Sequence, residues 1–157
     1  MQTINEKTII KSPPEKVWEF LTTLHKGDNY HQWHPHDHII YRLKKGDMQT
    51  IGSKAYFEER IGTFKLKLTY QLTKAQYPSY LEYSPAFPLS LLNLGKASFA
   101  LKSIEANATE LTAYVRYGYG LPIMGGLIDF LIRMFVKKAD AEKHIREEGE
   151  NLKRLLD

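Results

Sequence analysis

The chain has 157 residues, of which 43% are hydrophobic and 25% are charged, proportions that are usual for a globular protein with a buried core. It contains no cysteine, which excludes disulfide bonds, thiolate metal sites and a cysteine nucleophile. The formal net charge is +4, but the basic residues are scattered among acidic ones, so we do not expect a nucleic-acid-binding protein.

The N-terminal segment predicts a strand followed by a helix. Residues 2–11 alternate loosely between polar and apolar side chains, as strands do. Ser12 is predicted to cap the helix, because Glu15 completes a capping-box spacing with it. Pro13 and Pro14 suit a first helical turn, where backbone amides lack partners. The first residues carry no signal-peptide pattern, so we expect a cytoplasmic protein.

The middle of the chain predicts an antiparallel sheet, because short strand-like runs alternate with turn residues. The predicted strands cover residues 39–43, 53–61, 64–74, 80–83, 97–105 and 111–119. After Pro122 the hydrophobic period becomes helical and stays helical to the end. We therefore expect one α+β domain over residues 1–157, in which a curved sheet grips a long C-terminal helix and encloses a cavity for a small ligand.

The predicted C-terminal helix carries His144 and Glu148 four residues apart, so both lie on one face. That face also holds an apolar stripe made of Phe130, Met134, Ala141, Leu152 and Leu155. An imidazole nitrogen and a carboxylate oxygen on the cavity side could bind one metal ion together. The alternative is a partly exposed pair near the end of the helix.

The strand at residues 53–61 is predicted to point a carboxylate inward. Glu59 shares the apolar face with Phe57 and Ile61. Glu58 lies on the opposite face, where it can meet solvent. A buried carboxylate is costly unless a cation or hydrogen bonds compensate it. The alternatives are a one-residue bulge that turns Glu59 outward, or a cavity wet enough to hold it.

Four histidines lie within eight residues, at positions 31, 34, 36 and 38. Neutral imidazole is a common ligand of transition metals. We expect most of the four to lie on the surface of a turn and one to be a buried ligand. His38 is the best candidate, because it stands at the start of the next strand.

Three separated segments carry a pattern beyond their local structure. Residues 30–38 read Tyr-His-Gln-Trp-His-Pro-His-Asp-His, residues 59–62 read Glu-Arg-Ile-Gly, and residues 144–152 place Glu four residues after His and end in Asn-Leu. In this order they resemble the motifs of the 2,4-diacetylphloroglucinol hydrolase family. These enzymes belong to the START-like superfamily, which includes Bet v 1-like proteins and has the helix-grip fold, and they hydrolyse a carbon–carbon bond with zinc.

The resemblance implies a metal-dependent hydrolase that acts on a small acylated phenol or a β-diketone-like compound. The implied ligands of zinc, or of manganese or iron, are His38, Glu59, His144 and Glu148. It also implies that Tyr30 hydrogen-bonds a substrate oxygen. The strand at 97–105 lacks the histidine that the family places there to contact the substrate. The implied metal ligands therefore transfer to this chain better than the implied substrate does.

Two other functions remain open on the same fold: a non-catalytic carrier of small hydrophobic ligands, and a metal-free polyketide cyclase or dehydratase. A membrane-binding role for the apolar residues 125–136 is a weaker expectation, because covering the sheet already uses such a face.

Overall fold

The computed structural model describes residues 2–92, 94–118, 134 and 136–157. Phe130 and most of the apolar stretch that precedes Lys137 lie outside the described residues. The described elements, in chain order, are β1 (Gln2–Ile10), α1 (Pro14–Thr22), α2 (Asn29–Trp33), β2 (His38–Lys45), β3 (Lys54–Ile61), β4 (Phe64–Gln76), β5 (Tyr80–Pro85), a short 3₁₀ helix (Leu89–Leu92), β6 (Gly95–Glu105), β7 (Ala108–Tyr117) and α3 (Lys138–Leu156).

The seven strands form an antiparallel sheet in the order β1-β7-β6-β5-β4-β3-β2. From β2 to β7, strands that follow one another along the chain pair directly, and β1 pairs with the other side of β7. Register irregularities in β2, β4 and β6 bend the sheet, because a bulge adds a residue to one strand of a pair. The predicted α+β architecture, a curved antiparallel sheet with a C-terminal helix, is confirmed.

Helix α3 packs on β1, β3 and β7. Its contact with β1 is close, because a Cβ atom at Gly149 would collide with Thr8 Oγ1. Leu152 is fully buried in the main hydrophobic core. Trp33 Nε1 donates a hydrogen bond to the backbone oxygen of Glu148 at 3.0 Å and so ties α2 to α3. In the described part of the chain, no helix is both long and apolar enough to cross a membrane.

The predicted capping role of Ser12 is wrong. Helix α1 begins after Pro13, and no side chain caps it. Because Pro14 has no N–H group, the first turn has one fewer amide to satisfy. The Ser12 hydroxyl instead donates a hydrogen bond to the backbone oxygen of Leu156, so it satisfies a carbonyl at the C-terminal end of α3.

The prediction of an unbroken helix from residue 122 to the end is also wrong. Lys137 has extended backbone angles, and its carbonyl accepts the amides of Asp140 and Ala141, which marks the start of α3. Among the predicted stripe residues, Met134 and Leu155 are exposed. The predicted stripe residues Ala141 and Leu152 are buried, and the buried face of α3 continues to Leu156.

Candidate metal centre

A cavity of about 470 Å³ lies between the inner face of the sheet and α3. Its walls are mainly aromatic and aliphatic, and the aromatic residues that line it are Tyr30, Trp33, Phe57, Phe64, Tyr70, Tyr83, Phe99 and Tyr117. Glu59, His144 and Glu148 also line it. A volume of this size holds a small organic molecule, and apolar walls with a few polar groups are typical of ligand sites.

The four predicted metal ligands converge at one end of this cavity. His38 begins β2 and is the cross-strand partner of Glu59 on β3. His144 and Glu148 face them from α3, and one potential ligand atom of each residue lies within 4.8 Å of those of the other three. The alternation that predicted an inward Glu59 holds, because β3 pairs with β4 without a bulge. Glu58, which was predicted to meet solvent, lies on the other face but is only 8% exposed, because the side chains of Tyr56, Lys65 and Lys67 contact it.

The interatomic distances are those of a compact cluster. Glu148 Oε1 lies 2.9 Å from His38 Nε2 and 3.6 Å from His144 Nε2. Glu59 Oε2 lies 3.9 Å from His38 Nε2 and 4.0 Å from His144 Nε2. In a tetrahedral zinc site with bonds of about 2.0–2.1 Å, the ligand atoms are about 3.3 Å apart. The four distances, from 2.9 to 4.0 Å, bracket that value.

Both imidazoles are held by their second nitrogen. His38 Nδ1 lies 2.8 Å from the backbone oxygen of Tyr30, and His144 Nδ1 lies 3.1 Å from Asp37 Oδ2. Metal-binding histidines are usually oriented in this way, with the other nitrogen directed at the metal. His144 Nε2 is buried and makes no hydrogen bond within the described part of the chain. A buried ring nitrogen that makes no hydrogen bond and faces two carboxylates has the surroundings of a metal ligand.

The charged groups of the cluster shift one another's pKa values. Burial raises the pKa of Glu59, and the charge of His144 opposes that rise. Burial would also raise the pKa of Glu148, but the adjacent His144 and His38 outweigh it and lower this pKa to about 2. For His144, burial favours a lower pKa, but Glu148 and Glu59 prevail and raise it to about 10. A divalent cation would balance the two carboxylates.

Tyr30 connects this cluster to the cavity. Its hydroxyl donates a hydrogen bond to Glu59 Oε2 at 3.1 Å, and its ring stacks on His38 with centroids 4.0 Å apart. Burial, together with the charge of Glu59, raises the pKa of the Tyr30 hydroxyl well above its ordinary value of 10. The hydroxyl therefore keeps its proton at neutral pH.

The prediction that most of the four histidines lie on the surface is wrong, whereas the prediction that one of them is a buried metal ligand stays a prediction. His38 and His34 are both buried, whereas His31 and His36 are exposed. His34 stacks on His144 with ring centroids 4.8 Å apart. Nothing in the local pattern distinguishes His34 from His36, because its burial depends on packing between α2 and α3. Asp37, whose carboxylate contacts His144, was not among the predicted site residues, although it directly precedes His38 in the motif of residues 30–38.

Further aromatic residues extend from the cluster along the inner face of the sheet. The Tyr30 ring is 5.0 Å from that of Tyr41, and Tyr70 lies beyond Tyr41 with its hydroxyl 3.0 Å from the Tyr41 hydroxyl. The Tyr83 ring is 5.0 Å from that of Tyr70. Burial raises the pKa of Tyr41 to about 12. The alternation of β2 and β4 could have identified Tyr41 and Tyr70 as inward residues. The rings of Tyr30, Tyr70 and Tyr83 line the cavity and give it flat walls suited to a planar ligand.

No protein-family model matches the chain, and no curated protein matches it. Several solved structures do. A norcoclaurine synthase point mutant from Thalictrum flavum, in complex with a transition-state analogue, superposes with a TM-score of 0.69 at 8% identity, over 99% of this chain and 93% of that one. The major latex-like protein 151 of Panax ginseng gives a TM-score of 0.68 at 11% identity, over 99% and 97%.

The di-domain ARO/CYC protein BexL of the BE-7585A biosynthetic pathway gives a TM-score of 0.66 at 10% identity, over 98% of this chain and 46% of BexL. At such low identities these similarities establish the fold alone. It is the helix-grip fold of the Bet v 1-like and START-like proteins. None of these three structures is a 2,4-diacetylphloroglucinol hydrolase, so the resemblance to that family stays a prediction from the sequence motifs.

Proposed function

We propose that the protein is a metal-dependent hydrolase that cleaves a carbon–carbon bond of a small acylated phenol or β-diketone-like compound. Its metal ion, zinc by preference and otherwise manganese or iron, would be held by the cluster of His38, Glu59, His144 and Glu148. The observation that supports the metal is the buried His144 Nε2, which has no hydrogen bond in the described part of the chain and faces two carboxylates. The reaction and the substrate class rest on the resemblance of residues 30–38, 59–62 and 144–152 to the motifs of the 2,4-diacetylphloroglucinol hydrolase family.

The proposed reaction uses water to split a ketone. Oxygen from water bonds to the carbonyl carbon, the bond from that carbon to the neighbouring carbon breaks, and a proton goes to the carbon that leaves. An acylated phenol and water thus give a carboxylic acid and the deacylated phenol. When bound, the metal ion would polarise the carbonyl and make water a better nucleophile.

The residues of the chain would hold the substrate and supply a proton. Aromatic walls such as those of Tyr70 and Phe99 bind a planar ring and keep bulk water away from it. Tyr30 stands beside the cluster with its hydroxyl protonated, so it can donate a hydrogen bond to a substrate oxygen or a proton to the leaving group. Its hydrogen bond to Glu59 and its stacking on His38 fix its position.

A second candidate function, metal-free ligand binding or cyclisation, is supported by a different observation. The cavity is predominantly apolar. Proteins with folds similar to that of this chain include one described as ARO/CYC and a norcoclaurine synthase. In that case the cluster of histidines and glutamates would act as acids and bases alone. This candidate predicts no stoichiometric metal.

Metal content separates the two candidates. Protein purified without chelator or nickel resin should carry about one equivalent of zinc, manganese or iron at the cluster, as four converging ligands require. Elemental analysis measures this directly, and protein that neither carries nor takes up the ion contradicts the hydrolase.

Activity is tested with 2,4-diacetylphloroglucinol and acetylacetone as probes. We expect acetate release, detected by NMR, that a chelator abolishes and added zinc restores. Glu59→Gln should abolish the reaction, whereas Glu58→Gln, which changes the adjacent carboxylate on the other face of β3, should retain it. Release of acetate at an equal rate with and without metal would contradict the proposal.

A further inference from the structure

The outer face of the sheet, on the side away from the cavity and α3, collects basic side chains. Phe57 and Glu59 line the cavity, so the residues that alternate with them on β3 point to the outer face. Cross-strand partners share a face. The basic residues that this places on the outer side of β2, β3 and β4 are Arg42, Lys45, Lys54, Arg60, Lys65 and Lys67. These three strands contain two acidic residues, Glu58 and Glu59, and Glu58 alone points outward.

At three places on this face, two basic side chains stand directly opposite each other on neighbouring strands. The pairs are Lys45 with Lys54, Arg60 with Lys65, and Lys96 with Arg116. Like charges directly opposite each other destabilise a sheet. The stability of the fold therefore gains nothing from these pairs, whereas a negatively charged partner that meets this face would be attracted by all of them.

The charge of this face is a product of the fold. In the sequence these basic residues lie among apolar and acidic ones, a pattern that does not predict nucleic-acid binding. The two-residue alternation of the strands separates them, because it turns the apolar residues toward the cavity and leaves the basic ones together outside. Lys65 and Lys67 pair with Glu58, yet their side chains remain 48% and 56% exposed. A basic face of this kind is the electrostatic footprint of a protein that binds a polyanion.

Tyrosine rings lie among these cations. Tyr56 on β3 is partly exposed, and Lys44 Nζ lies 5.7 Å from the centre of its ring. Tyr114 on β7 is 36% exposed and stands between two smaller cross-strand neighbours, Asn5 and Ser98, so a flat group can reach its ring. Aromatic rings interleaved with cations are typical of surfaces that bind single-stranded nucleic acids, because bases stack on the rings while phosphates meet the cations.

We propose that the outer face of the sheet binds a single-stranded nucleic acid, either RNA or DNA. Its cations are about 4.8 Å apart across strands and about 6.6 Å apart along a strand, so they can contact several phosphates of one extended chain. A membrane fits less well, because strongly exposed apolar side chains such as Phe87 and Leu91 lie in the loop between β5 and β6 and not on this face. The binding does not depend on the proposed hydrolase activity, since the metal cluster lies on the other side of the sheet.

The test is fluorescence anisotropy of the full chain with labelled uridylate and thymidylate oligomers of about 20 nucleotides. We expect binding that weakens by at least about tenfold between about 50 mM and about 200 mM salt, because counterions compete for the phosphates. Lys54→Glu combined with Lys65→Glu should also weaken it by at least about tenfold. The matched control is Lys138→Glu combined with Lys143→Glu, which changes the net charge equally on exposed residues of α3 and should change affinity by less than about threefold.

Tyr114→Ala distinguishes a nucleic acid from other anionic partners, because it removes a stacking ring and no charge. We expect it to weaken oligomer binding by at least about fivefold. Circular dichroism checks that the variants are folded. Lys54→Glu and Lys65→Glu should both keep the fold, since each turns a like-charged cross-strand pair into an opposite-charged one.

Three results would overturn the proposal. The first is an absence of oligomer binding at about 50 mM salt. The second is an equal loss of affinity in the sheet variant and in the α3 control, which would mean that net charge alone decides binding. The third is unchanged affinity in Tyr114→Ala. Binding to phosphatidylserine vesicles or to polyglutamate without binding to either oligomer would assign the face to a membrane or to an acidic protein instead.

Discussion

Glu58 and Glu59 are neighbours in sequence, yet they lie on opposite faces of the sheet in opposite electrostatic environments. Glu58 accepts a 2.6 Å hydrogen bond from Tyr56 and has ion pairs with Lys65 at 3.3 Å and Lys67 at 3.7 Å. The hydrogen bond from Tyr56 and the two lysines lower the pKa of Glu58. Burial raises that of Glu59, whose neighbours are imidazoles and a phenol.

A second pair of glutamates, Glu82 on β5 and Glu148 on α3, shows the same contrast. Glu82, on the outer face, has ion pairs with Lys74 at 3.3 Å and Lys96 at 3.2 Å. Glu148, on α3 and directed into the cavity, is paired with histidines, and within the described residues neither it nor Glu59 has a lysine or arginine at ion-pair distance. Lysine side chains thus balance the charge of the outer carboxylates. The inner carboxylates have no lysine or arginine beside them in the described residues, so a metal ion can balance their charge.

The contrast between Glu58 and Glu59 is tested most sharply by neutralising each of these two carboxylates in turn. Glu59→Gln should lower zinc affinity by about 100-fold or more, because it removes a proposed metal ligand, whereas Glu58→Gln should change it by less than about twofold. Competition with a chromophoric chelator measures both affinities. Equal losses in the two variants would mean that the face of the strand does not decide metal binding.

Zinc should also stabilise the fold through the inner cluster. At about 100 times the dissociation constant, binding adds about 2.7 kcal/mol to the free energy of unfolding, which raises the melting temperature of a chain of this length by about 5–10 °C. Differential scanning calorimetry with and without zinc measures the shift. Glu59→Gln should abolish it and Glu58→Gln should preserve it; a full shift in Glu59→Gln would contradict the ligand assignment.

Asp37 should have an intermediate effect, because it orients a ligand rather than binding the inner ion. Asp37→Asn is expected to weaken zinc binding at the cluster by about 10- to 100-fold, the usual effect of removing a partner of a metal-bound histidine. His36→Ala, one residue away and exposed, is the matched control. Unchanged affinity in Asp37→Asn would show that the 3.1 Å contact with His144 does not hold the ring.

The smallest expected effect is the pH dependence of the metal-free protein. The pKa of His144 is raised from 6.5 to about 10, so its stabilising contribution is complete below pH 6.5 and is lost as the pH rises toward 10. The pKa of Glu148 is lowered from 4.5 to about 2, so its contribution is complete above pH 4.5 and is lost toward pH 2.

Between about pH 5.5 and about pH 9, the free energy of unfolding should therefore fall, by on the order of 1 kcal/mol because the coupled groups share their protons. Urea unfolding at the two pH values measures it. Zinc affinity should change in the opposite direction and rise with pH, since protons compete with the metal for His144. Metal-free protein that is more stable at the higher pH would contradict the paired state of His144 and Glu148.

The sequence predicted the parts of this site that depend on one element at a time. The i,i+4 spacing of His144 and Glu148 and the two-residue alternation at Glu59 are local geometry, and the sheet and α3 preserve both. The contact of Asp37 with His144 spans 107 residues, and the burial of His34 depends on how α2 meets α3. Such contacts arise from tertiary packing, which no local period encodes.

The failure at Ser12 has the same origin. Its spacing to Glu15 is that of a capping box, but the hydroxyl bonds to the far end of the chain at Leu156. The Ser12 hydroxyl does not cap α1, because the buried carbonyl of Leu156 needs a hydrogen-bond donor and takes this one.

The central claim is that the inner carboxylates and imidazoles bind one metal ion. A crystal of zinc-loaded protein, measured on both sides of the zinc absorption edge, tests it most directly. We expect an anomalous peak about 2.0–2.2 Å from His38 Nε2, His144 Nε2 and one oxygen each of Glu59 and Glu148. A cluster without a peak, in crystals where zinc binds elsewhere, would contradict the claim.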